Sequence, residues 1–229
     1  MHKFTTWIKD FTHLLSAGTI MYLKHTPPKH YLGHIVDGKV PVIILPGLFA
    51  RWGFLKPIGD HISLLGHPVY IVPGLGNNIT DIPASAKKVR HIIEENNLKN
   101  VIILAHSKGG LIGKYLLLHE DSKHKVKGMI AIATPWHGSS MGKFIPFSSV
   151  QEVTNESKII KYLREHSEVN GKIISIIPSY DNIIWHPKGS YLKGALENIK
   201  VEIAGHARIT NDKIVWNYVI ESIEKITGL

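Results

Sequence analysis

The sequence predicts a doubly wound α/β domain, in which a mostly parallel sheet carries helices on both faces. Six short apolar runs rich in Val and Ile alternate with segments of helical period, and within these runs apolar and polar residues hardly alternate. Strands without such alternation are typical of parallel sheets covered on both faces. Since 229 residues with 44% hydrophobic content can enclose one sizeable core, we expect a single domain over residues 1–229.

The strands and helices follow each other in a βα order along the chain. The predicted strands are Val40–Leu45, Pro68–Val72, Val101–Ala105, Gly128–Ala133, Ile173–Ile177 and Lys200–Ala204. The predicted helices are Phe54–Leu65, Ile82–Asn96, Leu111–His119 and Lys213–Ile226. This alternation predicts about six strands joined by crossover helices.

The first 30 residues form an N-terminal extension with an amphipathic pattern. One apolar stripe at three- and four-residue spacing comprises Phe4, Trp7, Ile8, Phe11, Leu14 and Leu15. Such a stripe docks on its own domain or lies on a membrane interface, and both alternatives stay open. Lys9, Asp10 and His13 interrupt the segment, so it lacks the apolar core of a signal peptide, and we expect a cytoplasmic protein.

Charge and cysteine content exclude several classes of function. The chain has 27 Lys and Arg against 18 Asp and Glu, a formal charge of +9, which favours anionic partners such as membrane surfaces or is simply a solvated basic surface. No nucleic-acid-binding motif accompanies this charge, so we expect no nucleic-acid partner. The absence of cysteine excludes disulfides, thiolate metal sites and a cysteine nucleophile.

The stretch VIILAHSKGG places a serine between the third predicted strand and the following helix. Ala105 to Gly109 match the pattern GxSxG, with Ala for the first Gly. In a nucleophile elbow the serine adopts a strained backbone conformation that only small flanking residues permit, and its hydroxyl projects above the sheet. A Ser-Gly turn without chemistry is the alternative interpretation of Ser107.

From about Lys39 to its end the chain resembles the α/β-hydrolase family, in the lipase and esterase branch whose elbow reads AHSxGG. The segment Pro46-Gly47-Leu48-Phe49 is similar to the HGxxG oxyanion loop of that branch, with Pro46 in place of His and Ala50 in place of the second Gly. The resemblance implies that the N–H groups of Leu48 and Lys108 form the oxyanion hole. Two fixed backbone donors at that point stabilise a tetrahedral oxyanion by several kcal/mol.

A serine nucleophile needs a base and an orienting acid, which this family provides in the order Ser, acid, His. Asp181 follows the fifth predicted strand and His206 follows the sixth, where the resemblance implies the acid and the base. His186 is a rival base, but it precedes the last strand. Three other carboxylates are poorer candidates for the catalytic acid, because they are expected to cap helices or belong to other loops: Asp81, Asp121 and Asp212.

Other histidines are expected to have structural roles. His137, in a PWHG segment similar to one found before the lid of lipases, is expected to shape the edge of the site, and His106 to pack under the elbow. His30 and His34 have the i, i+4 spacing of metal ligands, but Gly33 and the preceding prolines argue against a helix there. We therefore predict neither a metal site nor a cofactor.

Residues 138–170, here called the lid segment, occupy the position of a lipase lid. They contain an apolar knot and then a short amphipathic helix, formed by Phe144, Ile145, Pro146 and Phe147 and by Ile159, Ile160, Tyr162 and Leu163. A hydrophobic lid over the serine would suit an acyl chain, because each buried methylene contributes about 0.8 kcal/mol. A segment that merely completes the core is the alternative.

These observations predict a serine hydrolase that cleaves carboxylic esters of acyl lipids, with Ser107 as nucleophile, His206 as general acid and base, and Asp181 to orient the imidazole. Two alternatives remain at this point. An acyltransferase or thioesterase would differ only in what attacks or leaves the acyl-enzyme. A non-catalytic lipid-binding protein would keep the scaffold without the chemistry.

Overall fold

The sheet contains six strands in the part of the chain that the structure describes. The computed structural model describes Asp10 and residues 26–121, 123–186 and 188–228. The strands are β1 (Val42–Leu45), β2 (Val69–Tyr70), β3 (Val101–His106), β4 (Val126–Ile132), β5 (Ile173–Tyr180) and β6 (Glu197–Ala204). They form one sheet in the order β2-β1-β3-β4-β5-β6, and every neighbouring pair is parallel. The predicted parallel α/β architecture is confirmed, and all carboxyl ends lie at one edge.

Both edge strands of the sheet depart from the predicted strand bounds. Strand β2 spans only two residues, because it pairs with β1 alone and the chain then enters a 3-10 turn at Pro73–Leu75. Strand β6 begins at Glu197, three residues before the predicted start, and β5 continues to Tyr180 to pair with it. An edge strand is half exposed, so polar residues extend it without an apolar pattern that could reveal them.

Seven α-helices surround the sheet in the described part of the chain. They are α1 (His30–Gly33), α2 (Lys56–Leu64), α3 (Ile82–Glu95), α4 (Lys108–Tyr115), α5 (Ser148–Gln151), α6 (Lys158–Glu165) and α7 (Lys213–Thr227). Helix α4 begins three residues before the predicted start and continues as a π-helical turn over Leu116–Glu120. The expectation of no helix around Gly33 is wrong, since α1 forms one turn there.

The core has two halves, one on each face of the sheet. Successive residues of a strand point to opposite faces, so Ile43 packs in the half that contains residues of α3, α4 and α6, whereas Ile44 packs in the half that contains residues of α2 and α7. All four residues of β1 are fully buried. Burial of each such side chain contributes about 1.5–3 kcal/mol.

Three carboxylates that compete in the sequence for the role of catalytic acid bind backbone N–H groups instead. Asp81 caps α3 through Ala84 N (2.8 Å), and Asp212 caps α7 through Ile214 N (3.0 Å). Asp121 accepts a hydrogen bond from Lys125 N (2.7 Å) in the turn before β4. These contacts agree with the prediction that the three carboxylates have structural roles and are not the catalytic acid.

The lid segment contains a 3-10 turn at Ser140–Phe144 and the helices α5 and α6. Helix α6 is the predicted amphipathic helix, and it buries Ile160 and Leu163. The side chain of Phe144 lies outside the described part of the structure, and so do all residues of the N-terminal stripe from Phe4 to Leu15. Among the described helices, none combines the length and the apolar character that crossing a membrane requires.

Candidate active site

Ser107 lies on a tight turn between β3 and α4. Its backbone has φ +54° and ψ −123°, outside the regions that non-glycine residues normally adopt. Close packing of the turn requires Gly109, because a Cβ there would lie 2.3 Å from the carbonyl oxygen of Leu45. Strain of this kind costs about 1–3 kcal/mol and persists where the surrounding structure imposes it. The turn therefore has the backbone geometry of the predicted elbow.

Asp181 and His206 meet Ser107 at the carboxyl edge of the sheet. Asp181 directly follows β5, and His206 follows β6 by two residues. His206 Nε2 lies 2.9 Å from Ser107 Oγ, and His206 Nδ1 lies 2.8 Å from Asp181 Oδ2. With Nδ1–H donating to the carboxylate, Nε2 accepts the serine hydroxyl proton. The structure thus brings the three sequence-predicted side chains into one hydrogen-bonded line.

The pair of Asp181 and His206 is buried and mutually polarised. Burial by itself lowers the pKa of His206, but the charge and the hydrogen bond of Asp181, together with the charge of Asp10, raise it above the ordinary value. Burial raises the pKa of Asp181, but the charge and hydrogen bond of His206 and two backbone N–H donors lower it overall. Those donors are Ile184 N (2.7 Å) and Ile183 N (2.8 Å). The arrangement favours a carboxylate next to an imidazole that accepts a proton readily.

The backbone of His206 is fixed from both sides. Asn182 Oδ1 accepts the N–H of His206 (3.0 Å), and His106 Nε2–H donates to its carbonyl oxygen (2.9 Å). The His106 ring also stacks on Phe54, with ring centroids 5.2 Å apart. Because His106 is buried directly before the serine, it packs under the elbow as expected.

The loop after β1 borders the same site. Leu48 and Lys108, the two predicted oxyanion residues, line one cavity with Ser107. The carbonyl oxygen of Pro46 accepts a hydrogen bond from the fully buried Asn78 (Nδ2, 2.7 Å), and Phe49 has a φ of +59°. A polar side chain from the β2–α3 connection therefore supports the loop at the position where this chain has Pro in place of the family's His.

An apolar cavity of about 370 Å³ opens over Ser107. The lid segment contributes Ser139, Met141, Gly142, Ile145, Val150 and Val153 to its wall. Ile183 and Ile184, directly after Asp181, line it from the other side. Since Ser107 lines a cavity whose wall is mostly apolar, the cavity suits an apolar group next to the reacting atom.

His137 and His186 lie outside this hydrogen-bonded line. Their rings stack on each other, with centroids 4.8 Å apart and planes 12° apart, and His137 Nε2–H donates to the carbonyl oxygen of Tyr191 (3.2 Å). Burial, followed by the nearby positive groups, lowers the pKa of His186. His137 thus shapes a neighbouring loop, and His186 stacks on the His137 ring. It is His206, and not His186, that lies beside Asp181.

Several polar residues at the site were missed in the sequence. Asn78, Asn182 and Glu152 hold backbone or charged groups around it, and Asp10 lies against the loop of His206. Only the position of Asn182, directly after the predicted acid Asp181, weakly indicated that it belongs to the site. For the other three no local pattern exists, because each contacts a segment remote in sequence.

The parallel sheet, the serine on the β3–α4 turn and the histidine and aspartate at the same edge define the architecture of an α/β hydrolase. A family model described as the alpha/beta hydrolase fold matches residues 40–154, half of the chain. The protein belongs to this family of hydrolases.

Solved structures of lipases share the fold at low sequence identity. The mature lipase BlEst2 of Bacillus licheniformis superposes with a TM-score of 0.66 at 15% identity, covering 84% of this chain and 95% of that one. For a monoacylglycerol lipase of Paleococcus ferrophilus the TM-score is 0.61 at 16% identity, covering 83% and 96%. Lipase B of Aspergillus fumigatus (TM-score 0.66, 17% identity, 84% of this chain) is longer, and the match spans 54% of it. A sequence comparison with curated proteins finds no match.

Proposed function

We propose that this protein hydrolyses carboxylic esters of acyl lipids through an acyl-enzyme on Ser107. The observation that carries the proposal is the line from Ser107 Oγ to His206 Nε2 (2.9 Å) and from His206 Nδ1 to Asp181 Oδ2 (2.8 Å) beneath an apolar cavity. The resemblance of the protein's fold to that of proteins described as lipases supports the same class of substrate.

In the first half-reaction Ser107 Oγ attacks the ester carbonyl carbon while His206 Nε2 takes the hydroxyl proton. Negative charge develops on the carbonyl oxygen, where the N–H groups of Leu48 and Lys108 stabilise it. When the tetrahedral intermediate collapses, the carbon–oxygen bond to the leaving alcohol breaks and His206 Nε2–H gives its proton to that oxygen. The products are the free alcohol and an ester of Ser107.

In the second half-reaction water is the nucleophile and Ser107 Oγ is the leaving group. His206 Nε2 removes a proton from water as the oxygen attacks the acyl carbon, and the second intermediate collapses when Ser107 Oγ leaves and recovers the proton. Asp181 remains ionised and stabilises the imidazolium in both steps. A carboxylic acid is released and the enzyme is restored.

The cavity supports an aliphatic acyl group as the part of the substrate next to the serine. Its wall is mostly apolar and includes Met141, Ile145, Val150 and Val153 of the lid segment together with Ile183 and Ile184. Each methylene moved from water into this wall contributes about 0.8 kcal/mol to binding. Short-chain esters therefore lose this contribution and should react with a higher KM.

A series of p-nitrophenyl esters of increasing acyl length tests the proposal. The wild type should hydrolyse them with kcat/KM rising from acetate to medium chains, and Ser107→Ala should be inactive. A fluorophosphonate probe, mapped by mass spectrometry, should label Ser107 in the wild type. Labelling of another serine, or hydrolysis that survives Ser107→Ala, would refute the assignment. Addition of an alcohol or a thiol as acceptor separates hydrolysis from acyl transfer.

We propose further that the substrate is collected at an anionic lipid surface. Three exposed aromatic side chains, Phe49, Phe147 and Trp185, lie on segments whose neighbouring residues line the cavity. Apolar side chains of this kind insert shallowly into a membrane interface, and a formal charge of +9 adds long-range attraction to anionic lipids.

A further inference from the structure

Asp10 lies far from the site in sequence and against it in space. Its side chain is fully buried. Asp10 Oδ1 accepts hydrogen bonds from both Ala207 N and Arg208 N, each at 2.9 Å. These are the two residues that directly follow His206, so the carboxylate holds the backbone on which the imidazole is mounted.

The two N–H groups would otherwise have no helical partner, because they begin the 3-10 turn Arg208–Asn211. A carboxylate from another part of the chain thus caps this turn, as Asp81 and Asp212 cap helices from adjacent positions. Charge-assisted bonds of this type are roughly twice as strong as neutral ones. The cap fixes where the loop after β6 turns back.

The residue before His206 is adapted to the same carboxylate. Gly205 has a φ of +115°, and a Cβ on it would lie 2.6 Å from Asp10 Oδ1. Any larger residue would therefore displace the carboxylate from the loop. Residues 205–208 and Asp10 therefore pack together at the backbone that carries His206.

Asp10 also acts on His206 through its charge. Among the described residues, the titratable groups around the imidazole are Asp181, which binds Nδ1, His106, whose ring centroid lies 4.9 Å away, and Asp10 behind the loop. After burial and Asp181, the negative charge of Asp10 is the remaining contribution to the pKa of His206, and it raises that pKa. The second carboxylate thus favours the imidazolium that forms when Ser107 loses its proton.

We propose that Asp10 is a positioning residue for His206, which holds the histidine loop by two hydrogen bonds and stabilises the imidazolium by its charge. The inference rests on the proposed function in assigning His206 as the base. It gives one residue of the N-terminal extension a role in positioning His206.

Asp10→Asn tests the charge with little change in shape, since an amide oxygen can still accept both N–H groups. An NMR titration of the histidine ring protons, with the His206 signal assigned by its loss in His206→Gln, should give a lower pKa in Asp10→Asn than in the wild type. The matched control is Asp212→Asn, which removes a capping carboxylate six residues after His206 and should leave this pKa unchanged. This readout does not require an ester substrate.

Kinetics test the hydrogen bonds. Asp10→Ala should lower kcat roughly ten- to hundredfold at unchanged KM, because a displaced imidazole is misaligned to take the proton of Ser107. Asp10→Asn should recover most of this loss. An unchanged His206 pKa in Asp10→Asn overturns the proposal, as does a folded Asp10→Ala protein with wild-type kcat. If Asp10→Ala does not fold, the NMR result of the Asn variant decides. If the wild type is inactive on all esters, the proposed function is wrong. The NMR titration of His206 then still tests the effect of Asp10, because it needs no ester substrate.

Discussion

Lys108 Nζ lies 2.9 Å from Glu152 Oε2, so the residue after the serine is tied to the lid segment by an ion pair. The side chain of Lys108 is only 1% exposed, and Nζ also donates to the carbonyl oxygen of Thr80 (2.8 Å). Glu152 Oε1 accepts the N–H of Ile82 (2.8 Å). One buried junction therefore joins the elbow, the lid segment and the start of α3.

Glu152→Gln should destabilise the protein, because it leaves the charge of Lys108 buried without a counter-ion. Removing one partner of a buried pair costs about 3–5 kcal/mol, and the partial exposure of Glu152 reduces this to roughly 2 kcal/mol. Urea unfolding measures the change. The control is Glu156→Gln in the exposed pair with Lys143 of the same segment (2.5 Å), which should leave the midpoint unchanged. Equal midpoints for both variants would show that the junction contributes no stability.

Activity should fall as the pH decreases through the pKa of His206, because only the neutral imidazole can take the proton of Ser107. The pKa of this histidine is raised, so the midpoint of the acid limb of kcat/KM should lie above 6.5, the ordinary value for histidine. Asp181→Asn should move this limb to lower pH and lower kcat by about 10⁴. Asp212→Asn should retain wild-type kcat, and the reverse ranking would exclude Asp181 as the orienting acid.

Asn78→Ala should loosen the loop that carries Leu48, because the carbonyl oxygen of Pro46 loses its buried donor. Misplacing one oxyanion donor lowers kcat by roughly 10²–10³, and we expect a loss at the lower end of that range at similar KM. The control is Asn96→Ala, which removes an exposed hydrogen bond from Asn96 Nδ2 to the carbonyl oxygen of Ile92 (2.9 Å). If Asn78→Ala folds and retains full kcat, the loop does not depend on this bond.

Lys114→Met should stabilise the protein at neutral pH. Lys114 is 1% exposed on α4, and burial lowers its pKa from 10.5 to about 8, although the charge of Glu168 opposes the shift. Because the unfolded chain binds more protons between these two values, stability should rise with pH there, and the cost below pH 8 is roughly 3 kcal/mol. Urea unfolding from pH 7 to 10 should show this rise in the wild type and in the exposed-site control Lys99→Met. A rise that persists in Lys114→Met would assign it to another group.

The wild type should co-sediment with anionic liposomes at low salt, and Phe147→Ser should weaken this binding. Phe147 is 64% exposed beside the cavity, whereas Leu64, 63% exposed at the opposite edge of the sheet, provides the control Leu64→Ser. Added salt should reduce binding, because the attraction of the basic surface is screened. If the wild type shows no preference for anionic over neutral vesicles at low salt, or if Leu64→Ser weakens binding as much as Phe147→Ser, docking through the cavity mouth is wrong.

The buried strands and the serine turn could be predicted because both depend on neighbours in the chain. Buried parallel strands require unbroken apolar runs, and the turn at Ser107 requires small residues on either side, so each leaves a local pattern. The positions of Asp181 and His206 were predicted from the resemblance to the α/β-hydrolase family, which places its acid and its base after the last two strands. Edge strand β6 was predicted too short, because half of its environment is solvent.

The sequence by itself determined the α/β class, the elbow and the candidate order of serine, aspartate and histidine. Only the tertiary structure decided which carboxylates and amides surround them. Asp10 contacts Ala207 across 197 residues, and Asn78 reaches Pro46 across 32. A single polar residue leaves no periodic pattern in the sequence. Its structural role depends on which buried N–H or C=O group the fold brings to it. The supports of the site therefore became visible only once the chain was folded.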